Sequence, residues 1–123
     1  MDKVLLVIGS LFALLAVALG AFGAHALRKK LSGDQLAVYQ TGVQYQMYHA
    51  LGILALGIYA AIFPGNTLLT ISAVLMVLGV ILFSGSLYAL TLTGKRALGA
   101  ITPIGGLSWI ISWLLFILAV IVK

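Results

Sequence analysis

The sequence predicts an all-α fold, an integral membrane four-helix bundle, on three observations. Hydrophobic residues make up 63% of the 123 residues and charged ones 7%, against about 25% charged in a soluble domain. The few charges are grouped at Lys3, Arg28-Lys29-Lys30, Lys95-Arg96 and Lys123, and runs 4–27, 35–94 and 97–122 carry none. Turn signals then cut these runs into blocks near the 20 or so residues that cross about 30 Å of hydrocarbon. Soluble classes are excluded, because so few ionised side chains cannot cover a soluble surface.

The formal charge of +5 does not indicate nucleic acid. No basic stripe is interleaved with polar or aromatic residues on one face, as such a partner needs. The absence of Cys removes thiol catalysis, disulfides and thiolate metal sites. One transmembrane domain over residues 1–123 is expected.

The first span is read as 4–27. Ala24-His25-Ala26 mimics a signal-peptidase site, but the apolar run exceeds the usual 7–15 residue signal core, so a retained span is expected. Ser32-Gly33-Asp34-Gln35 reads as a capping box that starts the second helix near residue 33, with Leu31 and Leu36 as its staple. Asp34 suits the positive end of the helix dipole. That helix ends near Phe63, before Pro64-Gly65-Asn66, and would be about 45 Å long. Residues 43–63 are therefore assigned to the membrane. The first two to three turns are expected to protrude, or to lie at the interface with a bend near Gly42.

The third span is read as 68–92, capped by Asn66 or Thr67 and stopped at Gly94. The fourth is 103–122, with Thr102 as cap and Pro103 in the first turn. Gly99-Ala100-Ile101 is not expected to be regular helix. Arg28, Lys29, Lys30, Lys95 and Arg96 on one side outweigh Lys3 and Lys123 on the other. This places loops 28–42 and 93–102 in the cytoplasm and both termini outside.

Polar residues at membrane depth carry the functional signal. One cluster is Tyr39, Gln40, Gln44, Tyr45, Gln46, Tyr48 and His49, to which a hairpin would bring His25 at about the depth of Gln46–His49. A second is Ser84-Gly85-Ser86-Leu87-Tyr88 with Thr91, beside Thr102. The candidate ligand-binding set is His25, Tyr45, Gln46, His49, Ser84, Tyr88 and Thr102. The competing reading is interhelical hydrogen bonding. Two histidines could also pair on a haem iron, but nothing else in the chain accompanies that. No acid or Cys stands near to complete a zinc site, so no metal or cofactor is expected. Catalysis is not expected either, since no carboxylate lies among these groups and no nucleophile–base pair can be assembled.

Gly9, Ala13, Ala16, Gly20 and Gly23 form a small-residue stripe for close helix packing, within the chain or between copies. Trp113 is read as packing on a partner helix. Phe22-Gly23-Ala24-His25-Ala26-Leu27 and Phe83-Ser84-Gly85-Ser86-Leu87-Tyr88 each end a span before a basic cluster, the mark of a parallel duplication.

The blocks Gly20–His25, Tyr45–Ala50, Phe83–Tyr88 and Gly99–Gly106 resemble the bacterial YwdK/YgdD family of small membrane proteins of unknown function, which has mitochondrial relatives of the transmembrane-protein-256 type. The resemblance implies a four-span plasma-membrane protein and brings no activity or catalytic residue. The function expected is an accessory or scaffold protein acting through helix packing. It would be a homo-oligomer or a subunit of a larger membrane complex, in contact with membrane lipid. The alternative is an oligomeric carrier, channel or lipid-binding protein that uses the polar cluster.

Overall fold

The computed structural model describes residues 1–122; Lys123, counted in the charge asymmetry, lies outside them. Four long helices account for the fold: α1 (Asp2–Leu27), α2 (Gly33–Ile62), α3 (Thr67–Thr93) and α4 (Thr102–Val122). All four are long and apolar enough to cross a bilayer. The expected all-α membrane bundle is the fold found.

The helix ends follow local chemistry. Ser32 accepts from the Gln35 backbone N–H at 3.1 Å, and the Gln35 side chain accepts from the Ser32 N–H at 3.0 Å, closing both halves of the capping box. The Asn66 side chain accepts from the Leu69 N–H, and its amide also ties the turn to the Ala119 carbonyl at 3.0 Å. Gly94 closes α3 with φ of 72°, a conformation that disfavours any side chain. The connection to α4 is a 3-10 turn over Arg96–Ala100.

Of the two forms expected for the start of α2, the bend near Gly42 is not the one found, and the cap of α4 is corrected. α2 continues as unbroken helix through Gly42, because the last turns of α1 run beside its first turns and support them. Thr102 is the first helical residue rather than the cap; its hydroxyl lies 2.5 Å from that of Ser86 on α3. Each odd-numbered helix also contains a π-helical turn absent from the sequence reading, Leu19–Gly23 in α1 and Val80–Ser84 in α3.

The chain folds as two hairpins, α1 with α2 and α3 with α4, joined where α2 meets α3. Leu5, Ile53, Leu56, Leu69, Met76 and Trp109 fill the centre. The hairpins are built alike. In the first, the Gln46 amide donates to the Phe12 carbonyl at 2.8 Å. In the second, the Trp109 indole N–H donates to the Met76 carbonyl at 3.1 Å. These pairs fall at the same spacing along the chain to within one residue, as do Leu5 and Leu69, both buried. The π-turns of α1 and α3, like the blocks 22–27 and 83–88, are 61 residues apart, a register two to three residues different from that of these pairs.

Candidate functional site

The small-residue stripe sets how closely α1 approaches α2. A methyl group added at Gly9 would lie 2.9 Å from Leu54, and one at Gly20 would lie 2.9 Å from Val43. One at Gly23 would strike the Tyr39 hydroxyl. Ala16 is buried and Ala13 half-buried. Gly9, Gly20 and Gly23 thus face α2 within the chain.

That approach places carbonyls of α1 within reach of side chains on α2. Tyr39 donates to the Leu19 carbonyl at 2.7 Å, where the π-turn begins. Gln46 donates to Phe12 and accepts from the Tyr88 hydroxyl at 2.6 Å, linking α1, α2 and α3 through one side chain. Ser84 donates to the Gly42 carbonyl at 2.7 Å. Gly42 is needed there, since a methyl group on it would lie 2.9 Å from the Tyr88 ring. Ser86 and Thr102 form a separate pair between α3 and α4.

His49 belongs to a different group. Its ring lies flat on that of Trp109, with centroids 3.6 Å apart and planes 3° from parallel. Nδ1 bonds the Tyr45 carbonyl at 2.8 Å, and Nε2 accepts from the Trp113 indole N–H at 3.1 Å. A carbonyl on one side and an N–H on the other require the neutral Nδ1–H tautomer. Trp109 is seated over Gly79, where any side chain would collide with the indole. Tyr45 is 40% exposed and completes the outer layer against Phe83 and Trp109.

His25 joins neither group. It is exposed near the end of α1. Because the Arg28–Ser32 turn is short, that end is level with the start of α2, while Gln46 is level with Phe12. About 13 residues of helix at 1.5 Å each put His25 roughly 20 Å along the axis from the depth expected for it. The two histidines therefore do not converge on a common ligand. Among the described residues, no three His, Cys, Asp or Glu side chains gather as a metal site.

Of the seven candidate ligand residues, the structure joins Gln46 to Tyr88, sets Ser84 beside them through Gly42, and places Tyr45 with His49. Thr102 bonds Ser86 and His25 stands apart. Open clefts lie elsewhere. One of about 590 Å³ lies at the opposite end against Phe63, Pro64, Asn66 and Val122. A groove of about 310 Å³ runs between α1 and α3, lined by Val4, Ile8, Ala73 and Val77.

The sequence reading did not find Trp109 as a partner of His49, nor the buried Ser72–Ser112 pair, in which each hydroxyl donates to the other's carbonyl. Four-residue spacing of Trp109 and Trp113 marked a face of α4 but not what it covers.

A family profile described as "Protein of unknown function (DUF423)" matches residues 19–106. The UPF0382 membrane protein YwdK of Bacillus subtilis is 49% identical over 119 residues, covering 97% of each chain. The chain belongs to this family. The UPF0382 membrane protein SSP2132 of Staphylococcus saprophyticus is 48% identical over 118 residues, covering 94% of this chain and 95% of its own. A UPF0382 membrane protein of Staphylococcus epidermidis is 45% identical over 119 residues, covering 95% and 94%. No solved structure matches the chain. The protein is a multi-pass membrane protein of the DUF423 family, for which no activity is indicated.

Proposed function

We propose that this protein is a non-catalytic accessory or scaffold protein of the bacterial plasma membrane, working through helix packing with further copies or with a larger membrane complex. The observation that carries this reading is that the polar side chains of the candidate ligand-binding set, His25 and the Tyr45 hydroxyl apart, are taken up by bonds to backbone carbonyls and to other side chains within the bundle. Gln46 bonds Phe12 and Tyr88, Ser84 bonds Gly42, Ser86 meets Thr102, and both nitrogens of His49 are occupied. Interhelical bonds of this kind hold a bundle together without serving a solute. The carrier, channel or lipid-binding alternative needs those groups to line a pathway, and it draws no support from their present partners.

The small-residue stripe packs inside the chain, and α1 and α4 are the least buried of the four helices, so their outward faces are the broadest surfaces offered to a partner. Leu11 and Leu14 on α1, and Ile110 and Leu114 on α4, are each at least half exposed. The charge asymmetry orients the Arg28 and Lys95 loops to the cytoplasm and both termini outside.

A photoreactive residue placed at Leu11, Leu14, Ile110 or Leu114 in cells tests the proposal. Crosslinks to a discrete protein, either a second copy or a companion, are the expected result. Adducts to lipid alone at all four positions would overturn it.

A further inference from the structure

Among the described residues, the basic side chains of the two loops make no ion pair within the bundle. Arg28, Lys29, Lys30, Lys95 and Arg96 are all exposed at one end. Among the described residues the ion pair found is at the other end, between the N-terminus and Asp2. Asp34 is the one acidic residue in the sequence near the five cations. The opposite end carries Lys3, beside Asp2.

The depth of these cations follows from where α4 begins. Thr102 opens α4 level with Ser86, and Ser84 is level with Gly42. From Gly42 back to Gly33, α2 continues for about 14 Å at 1.5 Å per residue. The last turns of α1 and α3 run beside it. This extension passes through the headgroup layer, which adds roughly 5–7 Å to each side of the hydrocarbon core. Lys and Arg side chains at such a boundary reach back toward lipid phosphates while their stems stay on apolar surface.

Apolar and aromatic side chains line the same boundary. Phe22 is 75% exposed on the last turns of α1, and Leu92 is 60% exposed at the end of α3. A soluble anion would have no use for them. A lipid surface accommodates both sets at once, with phosphates on the cations and acyl chains against Phe22 and Leu92.

We propose that this end of the molecule binds anionic phospholipid headgroups, with Arg28, Lys29, Lys30, Lys95 and Arg96 contacting their phosphates and Phe22 and Leu92 lying against the adjoining acyl chains. The cations form an open surface, so recognition is by charge and not by headgroup shape. Each Lys or Arg beside an anionic membrane surface contributes roughly fivefold in affinity. This assignment is independent of whether a protein partner exists.

The test is native mass spectrometry of the full chain released from nanodiscs of equal phosphatidylglycerol and phosphatidylcholine. The unmodified protein is expected to retain phosphatidylglycerol in excess. Neutralising one loop (Arg28→Gln with Lys29→Gln and Lys30→Gln) or the other (Lys95→Gln with Arg96→Gln) should lower that excess by about tenfold or more. The set Lys29→Arg, Lys30→Arg and Lys95→Arg should keep it, which separates loss of charge from loss of fold. Equal retention of both lipids by the unmodified protein would overturn the proposal, as would an unchanged ratio in both neutralised variants. Displacement of the lipid by millimolar inorganic phosphate would also overturn it, by showing a site for a soluble anion.

Discussion

His49 and Trp109 stack face to face with ring centroids 3.6 Å apart, so that the imidazole of α2 is packed on the indole of α4. The contact exists because Gly79 leaves room for the indole on the far side. It makes His49 part of the joint between the two hairpins. A ring of similar shape should keep the stack and lose only the two hydrogen bonds.

His49→Phe is therefore expected to cost about 1 kcal/mol of stability, in the range of interhelical bonds measured in membrane bundles. Trp113→Phe, which removes the N–H that His49 accepts, should cost a similar amount. The double substitution should cost less than the sum, since both remove one bond. Unfolding in mixed detergent micelles measures all three. Full additivity would show that the bond contributes nothing.

Tyrosine hydroxyls provide a contrast of sign. Tyr88 donates to Gln46 at 2.6 Å, whereas the Tyr59 hydroxyl is buried with no partner among the described residues, its ring packed on Phe63 and Phe116. Removing one partner of a buried bond leaves the other unsatisfied, at a cost of about 1–3 kcal/mol, while removing an unpaired hydroxyl relieves a desolvation penalty. Tyr88→Phe should lower the thermal midpoint and Tyr59→Phe should hold or raise it. Equal losses in the two would contradict the bonding described.

Glycine positions divide in the same way. A side chain at Gly79 meets the Trp109 indole, and one at Gly105 meets the Phe83 backbone, while Gly85 has nothing within 4 Å. Gly79→Leu and Gly105→Leu should abolish the folded monomer or cost more than about 3 kcal/mol, as forced overpacking does at its upper end. Gly85→Leu should be close to neutral. Retention of α-helical signal and elution volume by each variant gives the reading.

These residues also mark how far the sequence could be read. The four spans, the capping box at Ser32, the Asn66 cap and the Gly94 stop were legible because each depends on chemistry within a few residues. The π-turns were not, since an inserted residue leaves the apolar pattern almost unchanged. The site was legible only as a set of polar residues in an apolar setting. Which of them meet depends on the offset between α1 and α2. That offset is set by a short turn and close approach along the Gly9–Gly23 stripe, and it carried His25 away from His49. Gln46 could not be paired with Tyr88 by spacing, because they lie on different hairpins.

The central claim, that this family member acts through assembly in the membrane, is tested most directly by native mass spectrometry of protein extracted gently from its own membrane. The expected result is a mass at a multiple of the 12.9 kDa chain, or that chain with a second protein, with phospholipid retained on either. Single chains throughout, bare or carrying a small molecule other than lipid, would contradict the account and return the His49 and Gln46 groups to consideration as a binding site.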